Sequence, residues 1–136
     1  MLAIDKLAKR LVRCRAWHWK VGMDHNQEFF DRVSSLSKDG KPQATYYSEN
    51  GQSYPLNNLP DSSLPNLEDD TTLSLLLNIL SEVLNEELTI SGVEVLGKRW
   101  CWSVNSDNME FFTGDSKAEA LVVAFEQLQM PASKTA

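Results

Sequence analysis

The chain is poor in the residues that usually carry metal or covalent chemistry. It has two cysteines, Cys14 and Cys101, and two histidines, His18 and His25, in 136 residues. Two cysteines are too few for a disulfide framework, and their scarcity suits a reducing compartment, so we expect a cytoplasmic protein. The spacing of these four residues lacks the close ligand pairs of common zinc sites. We therefore expect no metal site.

Long apolar runs and glycine-rich loops are also absent. The longest apolar stretch, 73–84, is interrupted by four polar residues and is too short to span a bilayer. The amphipathic N-terminus lacks the apolar core and cleavage site of a signal peptide. The six glycines are scattered at predicted turns, so none forms a phosphate-cradling loop. Cys101 lies in the middle of a predicted strand with no base beside it. We expect no catalytic residue and no cofactor, and therefore not an enzyme.

Basic residues are missing from more than a third of the chain. Residues 42–97 hold nine acids and neither lysine nor arginine, whereas residues 1–20 hold six basic residues and one acid. The net charge of -6 makes general nucleic-acid binding a poor fit, because phosphate neutralisation supplies most non-specific affinity. Three explanations stay open. Either the basic segment packs near the acidic middle of the chain, or both segments are solvated faces, or a partner carries an electrostatic field that complements theirs.

Three stretches have helical periodicity. Apolar residues recur at positions 4, 7, 8 and 11, with cations on the other side. A leucine-rich helix over 73–84 follows Asp69, a natural N-cap. The last helix opens with a capping box, Ser116 with Glu119, and ends before Pro131.

Alternation of apolar and polar residues predicts strands at 17–21, 43–49, 52–55, 88–96, 99–105 and 109–113. Asn50-Gly51 and Gly97-Lys98 are dipeptides that favour hairpin turns, and strands joined by such turns are antiparallel. We therefore predict an α+β fold, with a single antiparallel sheet and about three helices packed mainly on one face. One domain should span residues 1–130, followed by a frayed tail at 131–136.

The four tryptophans form two matching pairs, Trp17 and Trp19 in WHWKV, and Trp100 and Trp102 in WCWSV. In a strand, both side chains of a pair point the same way, so each pair is buried or exposed together. We expect the two strands to lie in one sheet and share a largely buried face. If the pairs are instead exposed, they and Tyr46 could stack a base or form an interface.

Three longer stretches share a pattern: AWHWKVGM, LPNLEDDTTLSLLLNIL and GDSKAEALVVAFEQL. It combines a W-x-W-x-x-G-M-like start, a Leu-Pro-x-Leu loop leading through Asp and Thr into a Leu-rich helix, and a final Glu-Ala-Leu-Val helix. In this the chain resembles a family of small uncharacterised proteins from tailed-phage and prophage genomes. The matching positions are Asp69, Thr72, Leu73, Leu76 and Leu77, and then Glu119, Ala120, Leu121 and Val122. The chain departs from the pattern at Asp70, where proline is usual, and at Ser74, where glycine is usual. The resemblance implies a phage-related accessory protein and brings no activity with it.

Two functions follow as expectations. The first is a non-enzymatic phage or prophage accessory protein that binds another protein, or a second copy of itself as a homo-oligomer. The Leu-rich helix and the surplus of aromatic residues motivate it. The alternative is a small-ligand protein that binds a nucleotide in a counter-defence role, in a pocket made by the aromatic strands and by the basic helix with Arg10 and Arg13. The candidate binding residues are Trp17, Trp19, Trp100, Trp102, Tyr46, Arg10 and Arg13.

Overall fold

The computed structural model describes residues 3–95, 99–106 and 112–128. Within them the chain forms three helices and six strands. The helices are α1 (Ala3–Val12), α2 (Asp70–Leu84) and α3 (Lys117–Gln127). The strands are β1 (Ser35–Leu36), β2 (Pro42–Tyr47), β3 (Ser53–Asn58), β4 (Thr89–Val95), β5 (Arg99–Asn105) and β6 (Phe112–Gly114). The predicted α+β class is confirmed.

The strands form two sheets, which corrects the predicted single sheet. The N-terminal sheet has the order β1-β2-β3, and the C-terminal sheet has the order β4-β5-β6. Every pairing is antiparallel and joins strands that follow one another in sequence. Each sheet is thus complete as a local meander. In the sequence the two sheets are separated by α2, so the short-turn argument that joined neighbouring strands did not extend from one group to the other.

The described chain divides into two compact units. The terminal unit comprises Met1–Trp17 and Leu76–Ala136, and the central unit comprises His18–Leu75. The terminal unit holds the C-terminal sheet, and the central unit holds the N-terminal sheet. The expected single domain over 1–130 stays a prediction, and the tail at 131–136 lies outside the described residues. Among the helices that are described, none has the length and apolarity to cross a membrane.

Two hairpin loops with the same hydrogen-bond pattern connect the strands of the N-terminal sheet. In residues 37–41 (SKDGK), the Ser37 N–H donates to the Lys41 carbonyl at 2.9 Å, and the Gly40 N–H donates to the Ser37 carbonyl at 2.9 Å. Residues 48–52 (SENGQ) repeat both bonds, with lengths of 2.8 and 2.9 Å. Gly40 and Gly51 have φ of +79° and +83°. This is the three-residue hairpin loop in which a left-handed glycine follows a type I turn.

The predicted hairpin at Asn50-Gly51 is therefore confirmed, although only the glycine has a positive φ. In both loops the serine hydroxyl accepts a hydrogen bond from the N–H of the residue after the glycine, at 3.0 Å in the first loop and 3.2 Å in the second. Each serine hydroxyl thus accepts a hydrogen bond from a backbone N–H that the backbone bonds of the turn leave without a partner. The other predicted turn, Gly97-Lys98, lies outside the described residues.

The first Trp segment is not a strand, which corrects the prediction for 17–21. The Trp17 N–H donates to the Cys14 carbonyl at 3.1 Å, so the chain is still turning after α1. The Met23 N–H bonds the Lys20 carbonyl at 3.2 Å, and Gly22 follows with φ of +100°. An alternating pattern of only five residues was too short to predict a strand correctly between these two turns. The two Trp segments therefore do not pair within one sheet.

The terminal unit packs α3 on β5, β6 and α1. Leu11 of α1 and Leu121 and Phe125 of α3 are fully buried, as their helical periodicity predicts. The capping box of α3 is formed, because the Glu119 N–H donates to the Ser116 hydroxyl at 3.1 Å. The return bond to the Glu119 carboxylate comes from the Asp115 N–H at 2.9 Å.

The start of α2 is fixed by Asp69, as predicted. Its carboxylate accepts the N–H of Thr72 at 2.9 Å and the hydroxyl of Thr72 at 2.8 Å. Arg32 donates to both carboxylate oxygens, at 2.7 and 2.6 Å. The Asp24 N–H in turn donates to the Thr72 hydroxyl at 2.9 Å. These bonds hold the segment after the first Trp pair against the N-terminus of α2, within the central unit.

Candidate functional site

Four aromatic rings form a row across the N-terminal sheet. His25 meets Phe30 edge-on with ring centroids 6.3 Å apart, and Phe30 lies 5.0 Å from Tyr46. Tyr46 stacks on Tyr54 at 6.2 Å with an interplanar angle of 27°. The register explains the row, since Phe30 bridges Tyr46 and Tyr46 pairs with Tyr54. Exposure rises along it, from the buried His25 to the exposed Tyr54.

Hydrogen bonds fix the inner end of this row. The Nδ1 atom of His25 accepts the N–H of Gln27 at 3.1 Å. The proton therefore lies on Nε2, which donates to the Asp31 carbonyl at 2.6 Å. The Asp31 carboxylate accepts the Tyr47 hydroxyl at 2.8 Å, and this bond raises the pKa of the Tyr47 phenol. His25 is thus a satisfied core histidine with both ring nitrogens engaged in holding backbone.

Four large apolar side chains in or beside the β2–β3 hairpin are exposed. We call Phe29, Tyr47, Tyr54 and Leu56 the hairpin end; their exposed fractions are 56, 39, 45 and 58%. Phe29 and Leu56 also have left-handed backbones, with φ of 67° and 58°. Each such residue costs roughly 1–2 kcal/mol relative to ordinary geometry. Two residues therefore combine backbone strain with an exposed apolar side chain, and strained positions concentrate at functional sites.

The edge strand beside these residues has features that prevent it from pairing with another strand. β3 is an edge strand of its sheet, and its Pro55 has no N–H to donate. A bulge follows, because Ala44 pairs with Asn57 but Tyr46 pairs with Tyr54, which sets two β3 residues against one of β2. Proline and bulges are two devices that stop a sheet edge from accepting another strand. A partner at the hairpin end would therefore contact side chains rather than extend the sheet.

A cavity of about 180 Å³ lies at the opposite end of β2. It is lined by Trp19, residues 40–42, residues 59–61 and Ser63, all of them in the central unit. Its position follows from the fold, because the Leu59 N–H donates to the Pro42 carbonyl at 3.0 Å where β3 ends beside the start of β2. From Pro42 to Tyr47 the strand runs about 16 Å at 3.3 Å per residue, so Tyr47 lies well away from the cavity, and the cavity shares no lining residue with the hairpin end.

One residue of the lining, Ser63, has an unsatisfied hydroxyl that is itself sealed from solvent. Ser63 is 8% exposed, and its hydroxyl has no hydrogen-bond partner among the described residues. Leaving a buried hydroxyl unpaired costs about 1–3 kcal/mol. At the rim, Lys41 and Asp61 contribute charges of opposite sign. The lining thus combines one tryptophan, two prolines and two residues of opposite charge.

The sequence-predicted binding residues fall in both units. Trp19 lines the cavity and Tyr46 belongs to the aromatic row, but the fold gives no sign that these two share a site. Trp17 is half-buried after α1. Trp100 lies on β5 opposite Glu94, and its side chain is outside the described part of the structure. A site built from all the predicted residues stays a prediction.

Trp102 and the two predicted arginines have structural surroundings of their own. Trp102 is half-buried, and the Lys117 ammonium lies 4.9 Å from the centroid of its ring. Arg10 donates to the Glu126 carboxylate at 2.5 and 3.0 Å, which joins α1 to α3. Arg13 is exposed and has no side-chain partner among the described residues. Arg10 is therefore engaged in the helix pair, whereas Arg13 remains accessible.

The thiols and acids suggest little chemistry. Burial raises the pKa of the Cys14 thiol, which keeps it in its unreactive protonated form. Cys101 is also buried. Within the described ranges, no three His, Cys, Asp or Glu side chains lie close enough together to hold a metal ion.

Sequence reasoning missed Phe29, Leu56 and Ser63. Nothing in the sequence marks a left-handed backbone at a phenylalanine or a leucine, since glycine and asparagine are the usual signals. No protein-family model matches the chain, and no curated protein or solved structure matches it either. The resemblance to phage proteins accordingly rests on the quoted residues alone.

Proposed function

We propose that this protein is a non-enzymatic accessory protein of the phage or prophage type that acts by binding protein through the hairpin end. The observation that carries the proposal is the pairing of strain with exposure at Phe29 and Leu56. Folding stability alone selects against both features. A binding partner that covers the two side chains would offset their cost, at about 25 cal/mol for each Å² of apolar surface buried.

The charge of the region defines the partner's chemistry. The hairpin and the loop after it contain no lysine or arginine, and exposed acids such as Glu49 and Asp61 lie on them. A partner should therefore combine apolar side chains with lysine or arginine. α1 supplies the cationic part, because Lys6 and Lys9 are exposed on it at i and i+3 and Arg13 is exposed directly after it. A second copy of the chain, presenting α1, is the occupant we propose.

The test is the concentration dependence of molecular mass, measured by light scattering and sedimentation. We expect self-association that weakens between 0.1 and 1 M salt, because the Debye length falls from about 10 Å to about 3 Å. Leu56→Asn should weaken it roughly tenfold, because an apolar contact is lost while asparagine accepts a left-handed backbone. Lys9→Glu should weaken it by opposing the acidic hairpin.

Val83→Asn is the matched control, because Val83 is a 53% exposed apolar residue on α2. It should leave self-association unchanged. A monomer at every concentration contradicts the second-copy proposal. An equal loss in Leu56→Asn and Val83→Asn contradicts the role of the hairpin end.

Small-ligand binding, with the nucleotide and counter-defence role expected from the sequence, is the second candidate function. The Trp19 cavity favours it, since one of the predicted tryptophans lines it. Pockets for drug-sized ligands usually measure about 300–1,000 Å³, so this cavity suits one ring system better than a whole nucleotide.

A further inference from the structure

We propose that Asn50, in the loop between β2 and β3, is a site of spontaneous covalent modification, at which water converts the side-chain amide to a carboxylate with loss of ammonia. The reaction needs no enzyme, because the attacking group is the backbone nitrogen of the next residue, Gly51. The inference goes beyond the proposed function and does not rest on it. Modification and self-association are measured separately, so either can fail alone.

A combination of three properties sets Asn50 apart from the other eight asparagines of the chain. It is the only one followed by glycine, which has no side chain to obstruct the attack. Both residues of the pair are exposed, and a Cβ added to Gly51 would meet nothing within 4 Å. The Asn50 amide has no hydrogen-bond partner among the described residues. By contrast, hydrogen bonds engage the side chains of Asn26, Asn57, Asn58, Asn66 and Asn105.

The reaction joins the side chain of Asn50 to the main chain and then releases it. After the Gly51 nitrogen loses its proton, it attacks the Asn50 Cγ. The new N–Cγ bond closes a five-membered imide, the Cγ–Nδ2 bond breaks, and the leaving group takes up a proton and departs as ammonia. Water then opens the imide. Opening at Cγ gives aspartate, whereas opening at the main-chain carbonyl gives isoaspartate, in which the chain continues through Cγ.

The loop conformation controls the rate, because it holds the attacking nitrogen in another hydrogen bond. The Gly51 N–H donates to the Ser48 carbonyl at 2.9 Å, and the Gln52 N–H donates to the Ser48 hydroxyl at 3.2 Å. These bonds must open before the nitrogen can reach Asn50. Exposed loops open locally at a small fraction of the cost of global unfolding. We therefore expect the folded protein to react about tenfold more slowly than the unfolded chain.

The matching loop at 37–41 indicates which product the fold accepts. It has Asp39 at the position that corresponds to Asn50, and its two backbone hydrogen bonds are the same. Aspartate in place of Asn50 therefore fits this loop type. Isoaspartate adds one carbon to the main chain inside a three-residue loop, which displaces the groups that make those hydrogen bonds. The two products thus have the same mass and different stabilities.

The test is peptide mass mapping of the full-length protein during incubation at neutral and at mildly alkaline pH. We expect the peptide that contains Asn50 to gain one mass unit and to separate into aspartate and isoaspartate forms. The change should be faster at the higher pH, because the attacking nitrogen must lose its proton. A parallel sample in guanidinium chloride gives the rate of the unfolded chain, and the other eight asparagines are internal controls.

Two variants separate the reaction from its consequence. Asn50→Gln keeps an amide but would need a six-membered ring, so its mass should stay unchanged over the same period. Asn50→Asp should melt at the temperature of the unmodified protein, because Asp39 is already accommodated in the matching loop. The purified isoaspartate fraction should melt at a lower temperature than Asn50→Asp.

Two results would overturn the inference. One is that Asn50 stays intact in the folded protein while the unfolded chain is fully converted. The other is that the mass change occurs first at another asparagine. If the isoaspartate fraction melts like Asn50→Asp, the assigned effect of isoaspartate on the loop is wrong.

Discussion

The Asp69 carboxylate accepts four hydrogen bonds from other residues, all of which a substitution by alanine removes. Its carboxylate caps α2 through the N–H of Thr72, accepts the Thr72 hydroxyl and pairs with Arg32 through two hydrogen bonds of 2.7 and 2.6 Å. The pair holds the pKa of Asp69 well below its usual range. We expect Asp69→Ala to lower the free energy of unfolding by about 3 kcal/mol.

Three contributions give this magnitude. Losing an N-cap costs about 1 kcal/mol. The Thr72 hydroxyl is fully buried, and leaving it without its acceptor costs about 1–2 kcal/mol. The ion pair adds at most about 1 kcal/mol, because Arg32 is 48% exposed and solvent screens it. Contributions of groups in one network do not add strictly, so the middle of the range is expected.

Urea denaturation of three variants separates the contributions. Asp69→Asn keeps a side-chain oxygen for the cap and loses the negative charge, so it should cost about 1 kcal/mol. Asp70→Ala removes the adjacent exposed acid and should cost only a few tenths of a kcal/mol. The midpoints should shift with an unchanged slope. Equal losses in Asp69→Ala and Asp69→Asn would refute the reasoning, because the ion pair would then outweigh the cap.

The pH dependence of the free energy of unfolding tests the same Asp69–Arg32 pair, and the direction of its change follows from the pKa shift of Asp69. The pKa of Asp69 is lower in the folded protein than in the unfolded chain, where it is about 3.9. The stability from its ionised form is therefore fully present above that value and is lost as the pH falls towards the folded pKa. The difference in stability between the native chain and Asp69→Asn should shrink below about pH 4. A difference that stays constant down to pH 2.5 would contradict the pKa shift.

Two further changes test the terminal unit and one turn. Gly114→Ala should cost about 1–3 kcal/mol in urea denaturation, because a Cβ there would lie 2.6 Å from the backbone nitrogen of Ala120. Gly40→Ala, where φ is +79° and the space is open, should cost only about 1 kcal/mol from backbone strain. If Gly40→Ala costs more than Gly114→Ala, both predictions are wrong. In a double-mutant cycle, Arg10→Ala and Glu126→Ala should show a coupling of about 0.5 kcal/mol, because both side chains are over a third exposed. A coupling energy above 2 kcal/mol would contradict the small contribution that we assign to this exposed ion pair.

The features that sequence predicted best are those whose cause is local. Asp69 caps α2 and Ser116 caps α3, because a cap depends on residues three positions apart. The hairpin at Asn50-Gly51 formed for the same reason. A further local signal was present but unread. The spacing Ser-x-x-Gly-x occurs at both 37–41 and 48–52, and both copies fold into one loop type.

The features that sequence did not predict depend on distant partners. Trp17 and Trp19 alternate like a strand, but a strand needs a neighbour, and this segment instead turns towards Gly22. The division into two sheets has the same origin, because pairing partners are not encoded in one segment's alternation. Leu56 lies at a bulge whose register depends on β2. Its exposure and strain exist only in the assembled sheet.

The sequence pattern on which the expected phage resemblance rests describes a structural link rather than a binding site. Asp69 and Thr72 cap α2, and Thr72 accepts a hydrogen bond from the residue after the Gly-Met of the first stretch. These residues satisfy one another. By contrast, Leu56 is strained and exposed, and the buried hydroxyl of Ser63 has no partner in the part of the chain that the structure describes; both lie outside that pattern. Residues that lower the stability of the fold are where binding should be sought, because only a ligand or partner offsets their cost.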